Sequence, residues 1–370
     1  MRVKWVVFIA LSAVLLPVMT SSSQAVNTTA IDAVRSKGVL TKQDLQVIDD
    51  FLAAGVQELV GAQRFTDIAR VRTVILSRQG TQKQYAQQFS ASAYDHLTSG
   101  LRAALTEPAE RKTMVTVNLL ILIDGLADLK LTDLSVAMLG SKSAVVRYWA
   151  IHSLASDGII AKLNAGGTAT SQRARAIAEK LKELVDRSEP ETLALIANFA
   201  GGVKVAQAEE LLLRIADVRI KQYAGWKVKY ELLDGAILRL LADKMVSGGT
   251  KTSAVAYRFG QLYSCAIQRY VVGKGFLSDS QRRQLASVLV GTEAGCISKL
   301  LGTPRTTIKR AIERGDDSAL TSEHNRLLGT EAKAGELAAK IKFVYGPDSS
   351  GKKRNGPFAL PRPPRTNTTE

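Results

Sequence analysis

"SKSAVVRYWAIHSLAS", residues 141–156, decides the fold class. Its apolar residues Val146, Ala150, Ile151 and Leu154 recur at steps of three and four, which lines them along one face of a helix. A polar turn, Gly140-Ser141-Lys142-Ser143, precedes it, and "LTDLSVAML" (131–139) before that turn has the same helical spacing on a shorter scale. Two short helices joined by a tight turn make a hairpin whose apolar faces need neighbours to cover them.

Those neighbours are visible on both sides. In "SQRARAIAEKLKELVDR" the set Ala174, Ile177, Ala178, Leu181, Leu184 and Val185 forms one stripe, with Glu183 and Arg187 spaced to pair on the opposite side. "KTSAVAYRFGQLYSCAIQRY" repeats the pattern through Ala256, Phe259, Tyr263, Ala266, Ile267 and Tyr270. Comparable stripes run near 43–60, 64–79, 82–105, 109–128, 204–223, 229–246, 281–301 and 329–345. Breaks fall at Gly80, Pro108, Gly166-Gly167, Pro190, Gly201-Gly202, Gly248-Gly249, Gly273 and Pro304, residues that end helices for steric reasons. Only "VKVAQ" and "IKFVYG" have a strand-like character. The class is therefore all-α, an irregular α-solenoid or multi-helix array.

The unit "LTDLSVAMLGSKSAVVRYWAIHSLAS", about residues 131–156, resembles a HEAT repeat, with armadillo-like arrays as the wider group. The resemblance is carried by Leu134, Leu139, Val146, Arg147, Ala150, Ile151 and Leu154. It implies that Val146 and Ala150 face the core and that Arg147 reaches an acid near a neighbouring turn. The turn itself departs from the pattern, with Ser and Lys where the family carries Asp. The 40-residue period of such arrays is not clean elsewhere in the chain. Arg147, Tyr148 and Trp149 read first as structural. In the functional reading, Arg147 and Trp149 border a binding groove.

The two ends differ from this middle. "MRVKWVVFIALSAVLLPVMTSSSQA" has a basic start at Arg2 and Lys4, an apolar run and a small-residue site ending at Ala25, the pattern of a secretory signal peptide. The run is shorter than the ~20 residues that span a bilayer. The expectation is an exported chain, periplasmic or extracellular, soluble after cleavage near Ala25. Residues 26–345 form the helical domain, and 346–370, rich in Pro, Gly and basic residues, read as a flexible tail.

Signals for catalysis are sparse. His96, His152 and His324 lack His-x-x-x-His spacing, and their bland readings are packing for His152 and a solvated position for His324. "GPDSSGKK" (346–353) nearly matches a phosphate loop, but Lys353 stands where a hydroxyl is required and no helix follows. No cofactor, metal or catalytic residue is assigned. A helical enzyme acting on extracellular polymers would need one of the His residues beside a carboxylate in a cleft. Cys265 and Cys296 read as two buried thiols. On simple antiparallel helices they lie about 9 and 25 Å from the shared turn, too far for the Cα separation of roughly 7 Å that a disulfide needs. A kink near Gly291 or Gly295 would bring them together, so the bridge stays open.

The formal charge is +16, falling to +14 when Arg2 and Lys4 leave with the leader. Residues 251–310 hold ten basic residues against Asp279 and Glu293. Such a field attracts anionic polymers or lipid head groups. Export and the lack of zinc-finger or RNA-binding motifs argue against nucleic acid. The expected function is a non-enzymatic interaction or scaffold protein with a helical-repeat surface, holding protein partners. The alternative is a binder of anionic polymer or membrane surface through the basic C-terminal region. The candidate surface residues are Arg147, Trp149, Arg258, Arg269, Arg282 and Arg283.

Overall fold

The computed structural model describes residues 28–248, 251–347 and 351–364; the signal-peptide reading of 1–25 lies outside them. The chain divides into two units, residues 1–92 and 93–370. The first contains α1 (Thr29–Arg35), α2 (Lys42–Gly61), α3 (Phe65–Leu76) and the start of α4 (Lys83–Thr106). Its starting signal is chemical. Thr41 accepts from the Asp44 amide while the Asp44 carboxylate accepts from the Thr41 amide, a reciprocal cap for α2. Lys37 Nζ lies 2.6 Å from Asp44 Oδ1. That bond, with the Thr41 amide, lowers the carboxyl pKa to about 2.

In the second unit α4 is followed by α5 (Ala109–Leu126), α6 (Thr132–Met138), α7 (Ala144–Leu154), α8 (Asp157–Ala165), α9 (Thr168–Lys182) and α10 (Pro190–Gly202). Then come α11 (Ala206–Ala224), α12 (Leu232–Val246), α13 (Thr252–Val272) and α14 (Asp279–Thr292). A π-helical turn, Glu293–Ile297, leads into α15 (Ser298–Leu301), α16 (Thr307–Arg314), α17 (Asp317–Leu328) and α18 (Glu336–Ile341). Among the described residues the only extended pairings are isolated bridges, Gly329 with Ala334 and Pro347 with Lys353. The all-α expectation therefore holds.

From α5 to α11 each helix packs on near neighbours in sequence, α6 on α7, α7 on α8, α8 on α9 and α10 on α11. This packing is compatible with a helical repeat. Val146, Ala150, Ile151 and Leu154 are buried as the repeat-like unit requires. Arg147 differs from the family expectation. Its guanidinium donates to the carbonyls of Ser141 (2.7 Å) and Lys142 (3.0 Å), tying down its own turn, because that turn offers no Asp.

After α11 the packing converges on α13, which touches α11, α12, α14, α17 and α18. With so many neighbours, even Gln261, Ser264 and Arg269 on α13 are buried. The stripe expected over 329–345 is a helix only at α18. Gly329, at φ +97°, and Gly335 pass so close to one another that a Cβ on either would meet backbone at 2.6 Å or less. A continuous helix cannot be built through that crossing.

Candidate functional site

Gln261, Ser264 and Gln268 occupy positions i, i+3 and i+7 of α13 and so share one face. Laid across that face is the segment 357–364, Pro-Phe-Ala-Leu-Pro-Arg-Pro-Pro. The two glutamine side chains hold its main chain. Gln261 Oε1 accepts from the Phe358 amide at 3.0 Å. Gln268 Nε2 donates to the Phe358 carbonyl at 3.0 Å, and Gln268 Oε1 accepts from the Leu360 amide at 2.7 Å. Farther along, Trp226 Nε1 donates to the Pro361 carbonyl at 2.9 Å. Four backbone groups are thus satisfied by side chains far away in sequence, in the manner of a bound peptide. This segment belongs to the stretch 346–370 read from composition as a flexible tail; its described part buries little and carries these main-chain hydrogen bonds.

The orientation of Gln268 is set from beneath. Its Nε2 also donates to Ser264 Oγ at 2.8 Å, and Ser264 Oγ lies 2.7 Å from His324 Nε2. His324 Nδ1 lies 2.9 Å from Asn325 Oδ1. In the tautomer protonated at Nδ1, His324 donates to Asn325 Oδ1 and Ser264, accepting from Gln268, donates to His324 Nε2. In that tautomer the imidazole is neutral. Burial favours the neutral form by lowering the His324 pKa, with the Asn325 bond opposing it more weakly. His324, expected in solvent, is 9% exposed. A Ser–His spacing of this kind also characterises nucleophile and base. Here the hydroxyl is fully buried and accepts from Gln268, which orients that amide.

Trp226 is placed by the loop between α11 and α12. Both Trp226 (φ 55°) and Tyr230 (φ 56°) adopt left-handed backbone, uncommon and costly for bulky residues. Two buried arginines hold this loop. Arg219 pairs with Asp234 through two bonds (2.7 and 2.9 Å) and donates to the Lys229 carbonyl at 3.1 Å. Tyr223 Oη donates to the same carboxylate at 2.7 Å. Burial opposes the Arg219 charge, yet Asp234 outweighs it and the pKa rises. Arg269 pairs with Glu231 at 3.1 Å, both 1% exposed, and its guanidinium lies 5.4 Å from the Trp226 ring centroid. Phe276 meets the same ring edge-on at 5.5 Å.

The candidate surface residues separate accordingly. Arg269 is a buried structural cation and is removed from the surface set, because Glu231 and the Trp226 ring enclose it. Arg258 is engaged by Asp217 at 2.8 and 2.9 Å, an acid contributed by α11. Arg282 stacks on Tyr270 at 5.3 Å, and Arg283 is exposed. Other basic residues of the region are paired across helices, Lys274 with Asp317, Lys299 with Asp243 and Arg305 with Glu336. Trp149 is half-buried against Tyr148 and His152, whose Nδ1 lies 3.2 Å from Asp124 Oδ2. Arg147 and Tyr148 border a separate open cleft of about 460 Å³. The structure does not bring Arg147 and Trp149 together with the α13 face.

Cys265 and Cys296 are free and buried. Burial pushes their thiols up to about 12 and about 11. Among the described residues no group of His, Cys, Asp and Glu is arranged to hold a metal ion, and no helix is long and apolar enough to cross a membrane.

Sequence reasoning missed Gln261, Gln268, Trp226 and Ser264. For the three α13 residues the available signal was uncharged polar side chains at steps of three and four on a helix whose other residues are mostly apolar.

No family model and no curated protein matches the chain. Among solved structures, the crystal structure of an engineered protein is 14% identical, covering 88% of this chain and 97% of that one, with a TM-score of 0.21. At that score the likeness carries no argument.

Proposed function

We propose that the protein is a non-enzymatic interaction module that holds extended polypeptide on the α13 face. The observation that supports this is the amide pair Gln261 and Gln268, which with Trp226 reads four main-chain groups of a chain lying across the helix. Recognition through main-chain hydrogen bonds gives affinity for any extended segment, and the flanking side-chain contacts give selectivity. This is the scaffold reading of the sequence with its surface moved from Trp149 to α13. With 1–25 read as a leader, the expected partner lies outside the cytoplasm. The alternative, an anionic polymer or lipid surface, is less favoured because Asp217, Asp243 and Asp317 each engage one of the region's basic residues, Arg258, Lys299 and Lys274.

The test uses the full chain carrying Phe358→Asp and Leu360→Asp, which lifts the resident segment. It is titrated by fluorescence anisotropy with a panel of unrelated extended peptides. Saturable binding that Gln261→Ala with Gln268→Ala abolishes supports the reading. A folded, opened protein that binds no peptide of the panel refutes it.

A further inference from the structure

The segment on α13 is attached in two different ways along its length. Residues 353–356 are built into the fold. Lys353 bridges to Pro347, the Arg354 amide donates to the Gly346 carbonyl at 3.0 Å, and the Arg354 guanidinium donates to the Tyr345 carbonyl at 3.0 Å. Asn355 donates to the Glu331 carbonyl at 3.2 Å. Gly356 lies so close to Gly329 and Thr330 that a Cβ there would meet their backbone at 2.8 Å. Residues 357–364 differ. Among the described residues their main chain bonds to side chains only. Ala359, Pro361, Arg362 and Pro364 are exposed, and Phe358 and Leu360 are half-buried. This part is laid on the surface downstream of a fixed clamp.

The chemistry of the laid-on part is selective. The face supplies acceptors for two amides, at Phe358 and Leu360, two residues apart as an extended chain requires. Proline lacks an N–H, and prolines stand at 357, 361, 363 and 364, where the face asks for none. Pro361 also biases Leu360 toward extended backbone, which lowers the ordering cost of binding. Phe358 and Leu360 alternate with exposed Ala359, so two apolar side chains turn inward.

We infer that residues 357–364 are a resident intrachain ligand, and that the α13 face takes in trans an extended segment of the same build, Pro-apolar-x-apolar-Pro. This rests on the peptide-binding reading given above. The tether gives the resident segment an effective concentration on the order of millimolar. A free peptide therefore competes poorly until 357–364 lifts off, and the clamp at Gly356 keeps the lifted segment close enough to return. The contact is autoinhibitory, and the partner is a proline-containing extended chain.

The probe is a fluorescent synthetic peptide with the sequence of residues 355–365, compared with its scrambled version. It is titrated into the wild-type full chain and into the full chain with Phe358→Asp and Leu360→Asp. The expected result is that the opened chain binds the probe at least about tenfold more tightly than the wild type does, and at least about tenfold more tightly than it binds the scramble. Equal binding by wild-type and opened chains overturns the autoinhibition and leaves the peptide-binding reading standing. Binding of other extended peptides but not of the probe overturns the proposed partner chemistry alone. Binding of nothing overturns both. Amide exchange on the unaltered chain gives a second readout that needs no variant. The Phe358 and Leu360 amides should exchange at least about a hundredfold faster than the buried amides of α13. Exchange as slow as that of α13 would mean a permanent clasp and overturn the inference.

Discussion

Asp234→Asn takes one charge and almost no volume out of the layer beneath Trp226. In the native chain Asp234 and Arg219 are 0% and 1% exposed, joined by two bonds, with Tyr223 adding a third to the carboxylate. The amide can still accept from one donor, but the Arg219 charge is left buried without a counter-charge. Breaking a buried pair from one side costs about 3–5 kcal/mol, because the remaining ion has lost water and gained nothing in return. A urea titration followed by far-UV circular dichroism should show a loss of that size in the transition of the unit that holds α13. Replacing both partners, Arg219→Met with Asp234→Leu, removes the uncompensated charge and should recover most of the loss. The same substitution should loosen the 225–231 loop, so that the Trp226 bond to Pro361 weakens along with global stability. A loss below about 1 kcal/mol from Asp234→Asn alone would refute the reasoning. It would mean that the left-handed turns at Trp226 and Tyr230 are held by something other than the buried pair.

Gln268→Ala removes both bonds to Phe358 and Leu360 while leaving the rest of α13 in place. Amide exchange at Leu360 should accelerate at least about tenfold with little change at Gly356, and unchanged exchange would remove Gln268 from the site. His324 has a pKa below its ordinary 6.5 because of burial, so the native state binds fewer protons than the unfolded chain. Its contribution to stability is complete above about pH 6.5 and declines as pH falls below that value. His324→Gln should flatten this part of the stability profile between pH 7 and 5, and an unaltered profile would contradict the neutral imidazole. The thiols of Cys265 and Cys296, raised to about 12 and about 11 by burial, should resist an aromatic disulfide reagent at pH 8 and react fully in denaturant. Reaction within minutes in native buffer would disprove their sealed placement.

Much of the helical framework was legible because its signals are local. Pro108, Pro190, the glycine pairs and the apolar steps of three and four mark helix ends and faces within a few residues of themselves. The irregularities were hidden for physical reasons. Gln261, Ser264 and Gln268 lie off the apolar stripe of α13, and only a chain lying across them makes that face a site. Proline-rich composition correctly reports that 357–364 buries little apolar surface. It does not report that side chains 90 to 135 residues away bond to its main chain. His324 sits among Thr, Ser, Glu, Asn and Arg, which suggests solvent, but one face of α17 turns it toward Ser264. The left-handed positions of this loop are Trp226 and Tyr230 rather than Gly225, so its glycine does not mark them. Basic density over 251–310 was read correctly as composition, while its pairing depends on acids from α11, α12 and α17.

The position of α13 bears on how the chain is made. It is synthesised before α14, α17 and α18 and before the segment whose Phe358 carbonyl it binds from 90 residues upstream. A ribosome that has delivered α13 has delivered Gln268 bonded to Ser264 but without the Phe358, Leu360 and His324 groups that complete the cluster. The unit cannot complete itself progressively from its N-terminus. Until 357–364 is made, Gln261 and Gln268 lack the main-chain groups they hold in the folded chain.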